Sequence, residues 1–413
     1  MSEPLTVVVC VDHGSITGGQ AKVAIESAIG MKRAGLRVIF FAAAAPVDPR
    51  LQEEGVEVAC LGQTDLLGNP SRAAAMIQGT WNTDAAKALR ELLAKLPADR
   101  TVVHVHGWAR ALSPSIAPAI AQSKLPALYT VHEYFLFCPN GGFYNYQTNV
   151  ACSLEPLSPA CFATHCDQRN YVRKLWRGGR LLLAKHFARL PQVFSDYVCI
   201  SNFQRDVIAP FIPKSARLHH VSNPIDAVDR GPKENPASGD FIFLGRLSPE
   251  KGPLLFAEAA ARIGQVATFV GDGPMAAEIA QRFPDARLLG WKSPDEAAEA
   301  LRNARALVFP SLWYEGQPLT VLEAKAMGTP VIVSNGCAGR EEVADEETGL
   351  WFNNGDAFAL ARAIGRLKDD ATVARMSRAA YDDFWRDPPT LSRHVERIVA
   401  IYEEMLSRRA AAA

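Results

Sequence analysis

Two glutamates, Glu315 and Glu323, stand eight positions apart in Ser311-Leu-Trp-Tyr-Glu-Gly-Gln-Pro-Leu-Thr-Val-Leu-Glu-Ala-Lys-Ala-Met-Gly-Thr-Pro330. Pro318 suits the first turn of a helix, and Gly328 with Pro330 marks its end. A helix beginning near Gln317 puts Glu323 about 9 Å further along its axis, at ~1.5 Å per residue. Between the carboxylates, the turn Gly316-Gln317-Pro318-Leu319-Thr320 presents the free N–H groups of a helix start, whose partial positive charge suits phosphate. A diphosphate at that helix end would have one carboxylate on either side for hydroxyl-bearing groups, which is the layout of a nucleotide sugar. Taken alone, two glutamates at this spacing read first as a helix cap plus a solvated face. The flanks are more specific. Ala304-Arg-Ala-Leu-Val-Phe-Pro310 and Pro330-Val-Ile-Val-Ser334 read as buried strands, so the helix opens at the carboxyl end of a strand, where open α/β sheets bind ligands.

The segment resembles the Glu-x7-Glu motif of retaining glycosyltransferases with the GT-B fold. These are the large family 4 type (glycosyl transferases group 1) that builds bacterial polysaccharide and lipid-linked glycans. The resemblance implies that Glu315 holds donor-sugar hydroxyls and Glu323 the ribose. Phe243-Leu-Gly-Arg-Leu-Ser-Pro-Glu-Lys-Gly252 is similar to the family's diphosphate site, with Arg246 and Lys251 beyond Gly245 at a strand end. Two cations there can neutralise charge on a leaving diphosphate. Near the N-terminus, Gly18-Gly19 follows the first strand and resembles the family's Gly-Gly loop, which reaches donor phosphate and acceptor. It is not a G-x-G-x-x-G fingerprint, which argues against a dinucleotide cofactor. Where relatives carry an acidic residue and then Arg, this chain has Ala21 and Lys22. His132, at a strand end in Tyr129-Thr-Val-His-Glu133, matches the family's active-site histidine. His106 ranks second, and alternation puts it on the same strand face as His104.

These residues need a scaffold that brings several strand ends together. Short apolar strands alternate with helical segments, the pattern of parallel sheets covered on both faces. One series runs Thr6–Val11, Arg37–Ala43, Val56–Leu61, Thr101–His106, Ala127–His132 and Tyr197–Ile200. A second runs Phe241–Gly245, Ala267–Val270, Ala286–Leu289, Ala306–Phe309, Val331–Val333 and Leu350–Phe352. The expected organisation is a Rossmann-like domain over 1–222, a linker over 223–239, and a nucleotide-sugar-binding Rossmann-like domain over 240–390. A C-terminal helix, 391–413, is expected to pack back on the first domain. The periodicity gives two doubly wound α/β domains, and the resemblance adds the cleft between them. At 413 residues two domains is the natural division.

The chain is 48% hydrophobic, with 44 basic and 44 acidic residues, so no global basic field advertises nucleic-acid binding. No apolar run reaches the ~18 residues of a membrane span, and Thr6–Val11 lacks the flanks of a signal peptide. The expected compartment is the cytoplasm. Cys138, Cys152, Cys161 and Cys166 cluster in a loop-rich insert and suit a tetrahedral structural zinc, although paired C-x2-C knuckles are missing and unliganded thiols are the competing reading. No cofactor is required for the chemistry. Residues 169–189 carry seven cations and no acid, interleaved with Trp, Leu and Phe, as in helices that lie on anionic membrane.

The resulting expectation is a retaining hexosyltransferase that moves a sugar from a nucleoside-diphosphate-sugar to a hydroxyl of a saccharide or lipid-linked acceptor. It would serve exopolysaccharide or cell-envelope glycan synthesis, in peripheral contact with the inner face of the membrane. The alternatives are a nucleotide-sugar epimerase or hydrolase of the same fold, and a non-catalytic nucleotide-sugar-binding subunit of a membrane assembly.

Overall fold

The computed structural model describes residues 3–412. In the first half, β1 (Thr6–His13), β2 (Arg37–Ala44), β3 (Glu57–Gln63), β4 (Thr101–Val105) and β5 (Ala127–Val131) are followed by a two-stranded hairpin, β6 (Tyr144–Asn145) and β7 (Val150–Ala151). Next come β8 (Asp196–Cys199) and β9 (Arg217–His220). Without the hairpin, these strands form one parallel sheet in the order β3-β2-β1-β4-β5-β8-β9. The second half repeats the plan with β10 (Phe241–Leu244), β11 (Ala267–Val270), β12 (Arg287–Leu288), β13 (Ala306–Phe309), β14 (Val331–Ser334) and β15 (Gly349–Phe352), ordered β12-β11-β10-β13-β14-β15.

The apolar runs explain the layering. Val7, Val8 and Val9 are all fully buried, as a central parallel strand covered on both faces requires. Alternation sends Val8 and Cys10 into one core with Phe41 and Val103, and Val7 and Val9 into another with Phe40 and Val102. The C-terminal helix Leu391–Ala412 completes the second of these, adding Val395, Ile398, Tyr402 and Met405 at helical spacing. It lies close against the helix Gly19–Arg33, where a Cβ on Gly30 would stand 2.7 Å from the Val395 side chain. Polar contacts fix its register: His394 Nε2 to Ser27 Oγ at 3.0 Å, and Tyr402 OH to His104 Nδ1 at 2.6 Å.

Three details depart from the sequence reading. β9 and the β6–β7 hairpin were unforeseen, because β9 is a half-polar edge strand and the hairpin strands are two residues each. The helix carrying Glu323 begins at Leu319 rather than near Gln317, with Pro318 as its extended N-cap. A proline disfavours the α conformation of the residue before it, so Gln317 stays outside the helix. Finally, although a glycine pair weakens a helix, Gly178-Gly179 lies inside an unbroken one, which runs Tyr171–Leu182 and continues as a π turn to Phe187. Gly178 is needed there for room, since a Cβ would sit 2.6 Å from the Phe162 ring.

The domains meet through a few contacts at the cleft. Glu341 accepts the backbone N–H of Asn202 at 2.9 Å and that of Phe203, and the Arg340 guanidinium lies 5.3 Å over the Phe203 ring. Tyr314 stacks its edge on Phe203, and Gly142 of the first domain abuts Trp313.

Truncating Ile398, 1% exposed, to Ala leaves a cavity in the core shared by the first sheet and the C-terminal helix. A loss of about 2–5 kcal/mol is expected, measured as a lowered urea midpoint.

Candidate functional site

In both sheets the strand order reverses, between β1 and β4 in the first and between β10 and β13 in the second. Neighbouring crossover connections then leave in opposite directions, and a crevice opens at the carboxyl ends of those strands. The residues singled out by chemistry sit there.

On the second domain, β10 ends in Gly245-Arg246, and the chain turns back through Pro249–Lys251. Gly252 has φ +69°, and a Cβ on it would lie 2.2 Å from the Pro310 carbonyl at the end of β13. Only glycine permits that approach. It delivers Lys251 to Glu315, Nζ to Oε1 at 2.5 Å, and 5.5 Å over the Trp313 ring. Ser311 Oγ donates to the same carboxylate oxygen at 3.0 Å. Arg246 is exposed and makes no side-chain hydrogen bond or ion pair among the described residues. The helix Leu319–Ala326 has no side-chain cap, so its first N–H groups, at Leu319 and Thr320, remain open to a ligand. Lys251 and Glu315 are thus paired directly, and Arg246 and this helix start lie at the carboxyl ends of the adjacent strands β10 and β13.

Glu323 is set apart. It lines a recess of about 270 Å³ with Lys22, Asp226 and Arg230. Burial raises its carboxyl above the ordinary range, and Lys22, reaching over from the first domain, opposes that rise. Lys22 thus has a place in the cleft despite its departure from the family pattern. Gly316 and Gln317, expected at the donor, make domain contacts here. Gly316 is pressed against Ile200 and Gln204, and Gln317 accepts the Asn223 N–H at 2.7 Å while donating to Glu342 at 3.2 Å. At the ends of β10 and β11, a cleft of about 580 Å³ is lined by Gly245, Arg246, Gly271, Trp291 and Lys292. Trp291 is 75% exposed.

On the first domain, the helix beginning at Gly19 also lacks a side-chain cap. Cβ atoms on Gly18 or Gly19 would meet nothing within 4 Å, so this backbone faces open space. Asp12 holds the neighbouring strand-end loop by accepting the N–H groups of Arg110, Ala111 and Leu112 at 2.7–3.1 Å. His106 Nδ1 and His132 Nε2 are 3.0 Å apart with stacked rings, and His104 lies 4.1 Å behind His106. Desolvation, with a smaller repulsion from His394, lowers His132 to about 3, so its ring is neutral at ordinary pH. It can exchange hydrogen bonds with a sugar without bringing a charge. Sequence reasoning missed two groups beside it. The Glu133 carboxyl is pushed up to about 7, by burial first, with Arg110 and Arg180 opposing. Burial first, and then the Glu315 charge on the other domain, raises the Tyr134 hydroxyl above its ordinary range. Neither type-and-spacing pattern marks these residues; their roles come from what packs around them.

The insert holding Cys138, Cys152, Cys161 and Cys166 is compact. The Asn140 amide donates to the Tyr144 and Cys166 carbonyls, both at 2.9 Å, and the Cys166 thiol feels the other three. All four are free thiols, and among the described residues no three of His, Cys, Asp and Glu converge as metal ligands. Backbone hydrogen bonds order the loop.

Two doubly wound sheets facing across such a cleft define the GT-B class of glycosyltransferase. The sequence matches Glycosyltransferase Family 4 over residues 17–228 and Glycosyl transferases group 1 over residues 238–370. The chain belongs to the family 4 glycosyltransferases. It is 27% identical to an Escherichia coli UDP-Gal:α-D-GlcNAc-diphosphoundecaprenol α-1,3-galactosyltransferase over 59% of this chain and 67% of that one. It is 31% identical to a Mycobacterium tuberculosis glycogen synthase over 70% of this chain and 66% of that one. In structure it is similar to Anabaena HepE in complex with UDP and glucose, with a TM-score of 0.67 and 15% identity over 97% of this chain and 100% of that chain. Sucrose-phosphate synthase from Thermosynechococcus elongatus gives a TM-score of 0.70 and 18% identity, over 98% and 100% of the two chains.

The depressed His132 value has a thermodynamic consequence. Between its folded value of about 3 and the ordinary 6.5, the unfolded chain binds a proton that the folded chain refuses. The stability this neutral ring contributes is complete above 6.5 and falls away with decreasing pH, by about 1.4 kcal/mol per unit. The melting temperature of His132→Asn should therefore decline less steeply between pH 6 and pH 4 than that of the wild type. Parallel slopes would show that His132 titrates normally.

Proposed function

We propose that this chain transfers a hexose, with retention of anomeric configuration, from a nucleoside-diphosphate-sugar to a hydroxyl of a saccharide or lipid-linked acceptor. The observation that carries the reading is the Lys251–Glu315 pair at the reversal of the second sheet, beside an unpartnered Arg246 and an uncapped helix start. Cations and N–H groups there suit a departing diphosphate. Glu315, released from Lys251 when phosphate takes the ammonium, would accept hydrogen bonds from sugar hydroxyls. Neutral His132 would contact the sugar from the opposite wall, with Glu133 next to it on the acceptor side. In the front-face course that the family resemblance implies, the bond from the anomeric carbon to the diphosphate breaks as one to the acceptor oxygen forms. The acceptor's proton passes to the departing phosphate oxygen, so no protein nucleophile is needed. The base would lie in the cleft by Gly271 and Trp291. Uridine occurs in the names of two similar proteins, which makes UDP-sugars the first donors to test.

Exopolysaccharide or cell-envelope glycan assembly suits such an acceptor. Peripheral contact with anionic membrane is part of the same reading, supported by the cationic segment 169–189 and its exposed Val172, Leu175 and Phe187. No helix among the described residues is long and apolar enough to cross a membrane.

Thermal shift against UDP-, GDP- and ADP-sugars names the donor, and NMR of the product's anomeric proton reads the stereochemistry. With that donor, Glu315→Gln should lower kcat about 10²–10³-fold while retaining nucleotide binding. Lys251→Ala should also weaken nucleoside-diphosphate binding by about tenfold. Wild-type turnover in Glu315→Gln would remove the carboxylate's role, whereas donor binding without any turnover in the wild type would favour a scaffold.

A further inference from the structure

Exposed large apolar side chains concentrate on one part of the first domain: Met76, Ile77, Val172, Leu175, Leu182 and Phe187. They belong to two segments, one around the helix Arg72–Thr80 and the other the helix Tyr171–Leu182 with its π turn. Trp176 Nε1 donates to Thr80 Oγ1 at 3.1 Å, and the Trp81 and Phe187 rings meet edge-on at 5.7 Å, so the segments form one surface. Contiguous exposed apolar surface marks an interaction site rather than scatter.

Between the two helices lies a groove of about 340 Å³, walled by Leu66, Ala75, Met76, Val172 and Trp176 and rimmed by Arg72, Arg169 and Arg173. Among the described residues no carboxylate lines it. The nearby Asp167 is taken by Arg177 at 2.8 Å, and among the described residues the guanidiniums of Arg72, Arg169 and Arg173 have no hydrogen-bond or ion-pair partner. Burial, then the charges of Arg177 and Arg169 and, more weakly, Arg72, lower the Arg173 value below that of an ordinary arginine. Three like charges over an apolar cleft want a counter-charge and a hydrophobic cover together. A soluble anion supplies only the first and a neutral lipid only the second. Exposed apolar and cationic residues continue past the groove at Phe187 and Arg189, with Lys185 half-buried between, which suits the plane of a bilayer better than one docked peptide.

We infer that the groove between Arg72–Thr80 and Tyr171–Leu182 seats a phosphate-bearing lipid of an anionic membrane, phosphate on the three arginines and chain along Met76, Val172 and Trp176. This deepens the peripheral-contact reading and is independent of the transfer reaction. Arg177 and Arg180 of the same helix pack on Phe135, and Arg180 also packs on Trp108, in the loops that follow His132 and His106 in the chain. A lipid held at the groove would thus orient the acceptor side of the cleft toward the bilayer.

The test is co-sedimentation of the full chain with phosphatidylcholine vesicles and with equimolar phosphatidylcholine–phosphatidylglycerol vesicles. The wild type should partition to the anionic vesicles. Arg169→Gln with Arg173→Gln should weaken that partition roughly thirtyfold, at the usual contribution of a cation near an anionic surface. Met76→Ser with Val172→Ser should weaken it most at high salt, where the apolar contact carries the binding. Arg282→Gln with Arg378→Gln, on the second domain, should change nothing. Unaltered melting temperatures and nucleotide-induced shifts establish that each variant is folded. A wild type that stays with the supernatant overturns the membrane reading and the groove together. Partition that survives the groove variants, or falls equally in the second-domain pair, overturns the groove alone. Release by inorganic phosphate as effective as removal of the anionic lipid would make the groove a soluble-anion site and overturn the lipid assignment.

Discussion

Parallel strands joined by helical crossovers oblige each chain half to place its connections on both faces of its sheet, and where the order reverses the cover opens. Everything chemical in this protein depends on that gap occurring twice, between β1 and β4 and between β10 and β13. Asp12, Gly18, His106 and His132 leave one set of carboxyl ends, and Arg246, Lys251, Gly271 and Glu315 leave the other. Facing the two edges together makes a single site from groups about two hundred residues apart in sequence. Tyr134 beside Glu315, and Lys22 beside Glu323, are where the halves meet electrostatically.

The site is arranged around charge that has yet to arrive. Lys251 and Glu315 satisfy each other at 2.5 Å, which spares both the cost of an unpaired charge in a half-buried cleft. That arrangement keeps the carboxylate in place and leaves Arg246 and the helix N–H groups as the unanswered positive potential. The opposite wall is the complement: the stacked His106 and His132 are held neutral by desolvation and bring no charge to the cleft. Polarity is thereby divided, positive where a diphosphate would depart and neutral where a sugar would sit.

The C-terminal helix and the linker tie this division to the fold. Tyr402 reaches His104 directly behind His106, and His394 joins Ser27 to the Ser222 carbonyl. Gln317 meanwhile spends its amide on Asn223 and Glu342, so the turn before the donor helix is coupled to the linker between domains. A shift of one domain on the other would act on the donor loop through these bonds.

What the residues determined alone was local and periodic. Runs such as Val7-Val8-Val9 and Val331-Ile332-Val333 can only be buried strands, so the strand series and the two-domain plan were legible. Glu315, Lys251 and Arg246 could be picked out because their segments resemble the family's motifs, and the strand runs put those segments at strand ends. The start of the Glu323 helix was misplaced by two residues, because Pro318 restrains Gln317 in a way that helix statistics undervalue. β9 and the insert hairpin escaped because half-polar or two-residue strands carry no period. Only the tertiary structure decided that Glu133 and Tyr134 belong to the cleft and that Gly316 serves the domain contact. It also showed that the Asn140 side chain ties the cysteine-bearing insert together through the Tyr144 and Cys166 carbonyls. Each of these depends on distances between segments remote in sequence, and burial, partner and field at a side chain are properties of neighbours that local composition does not encode.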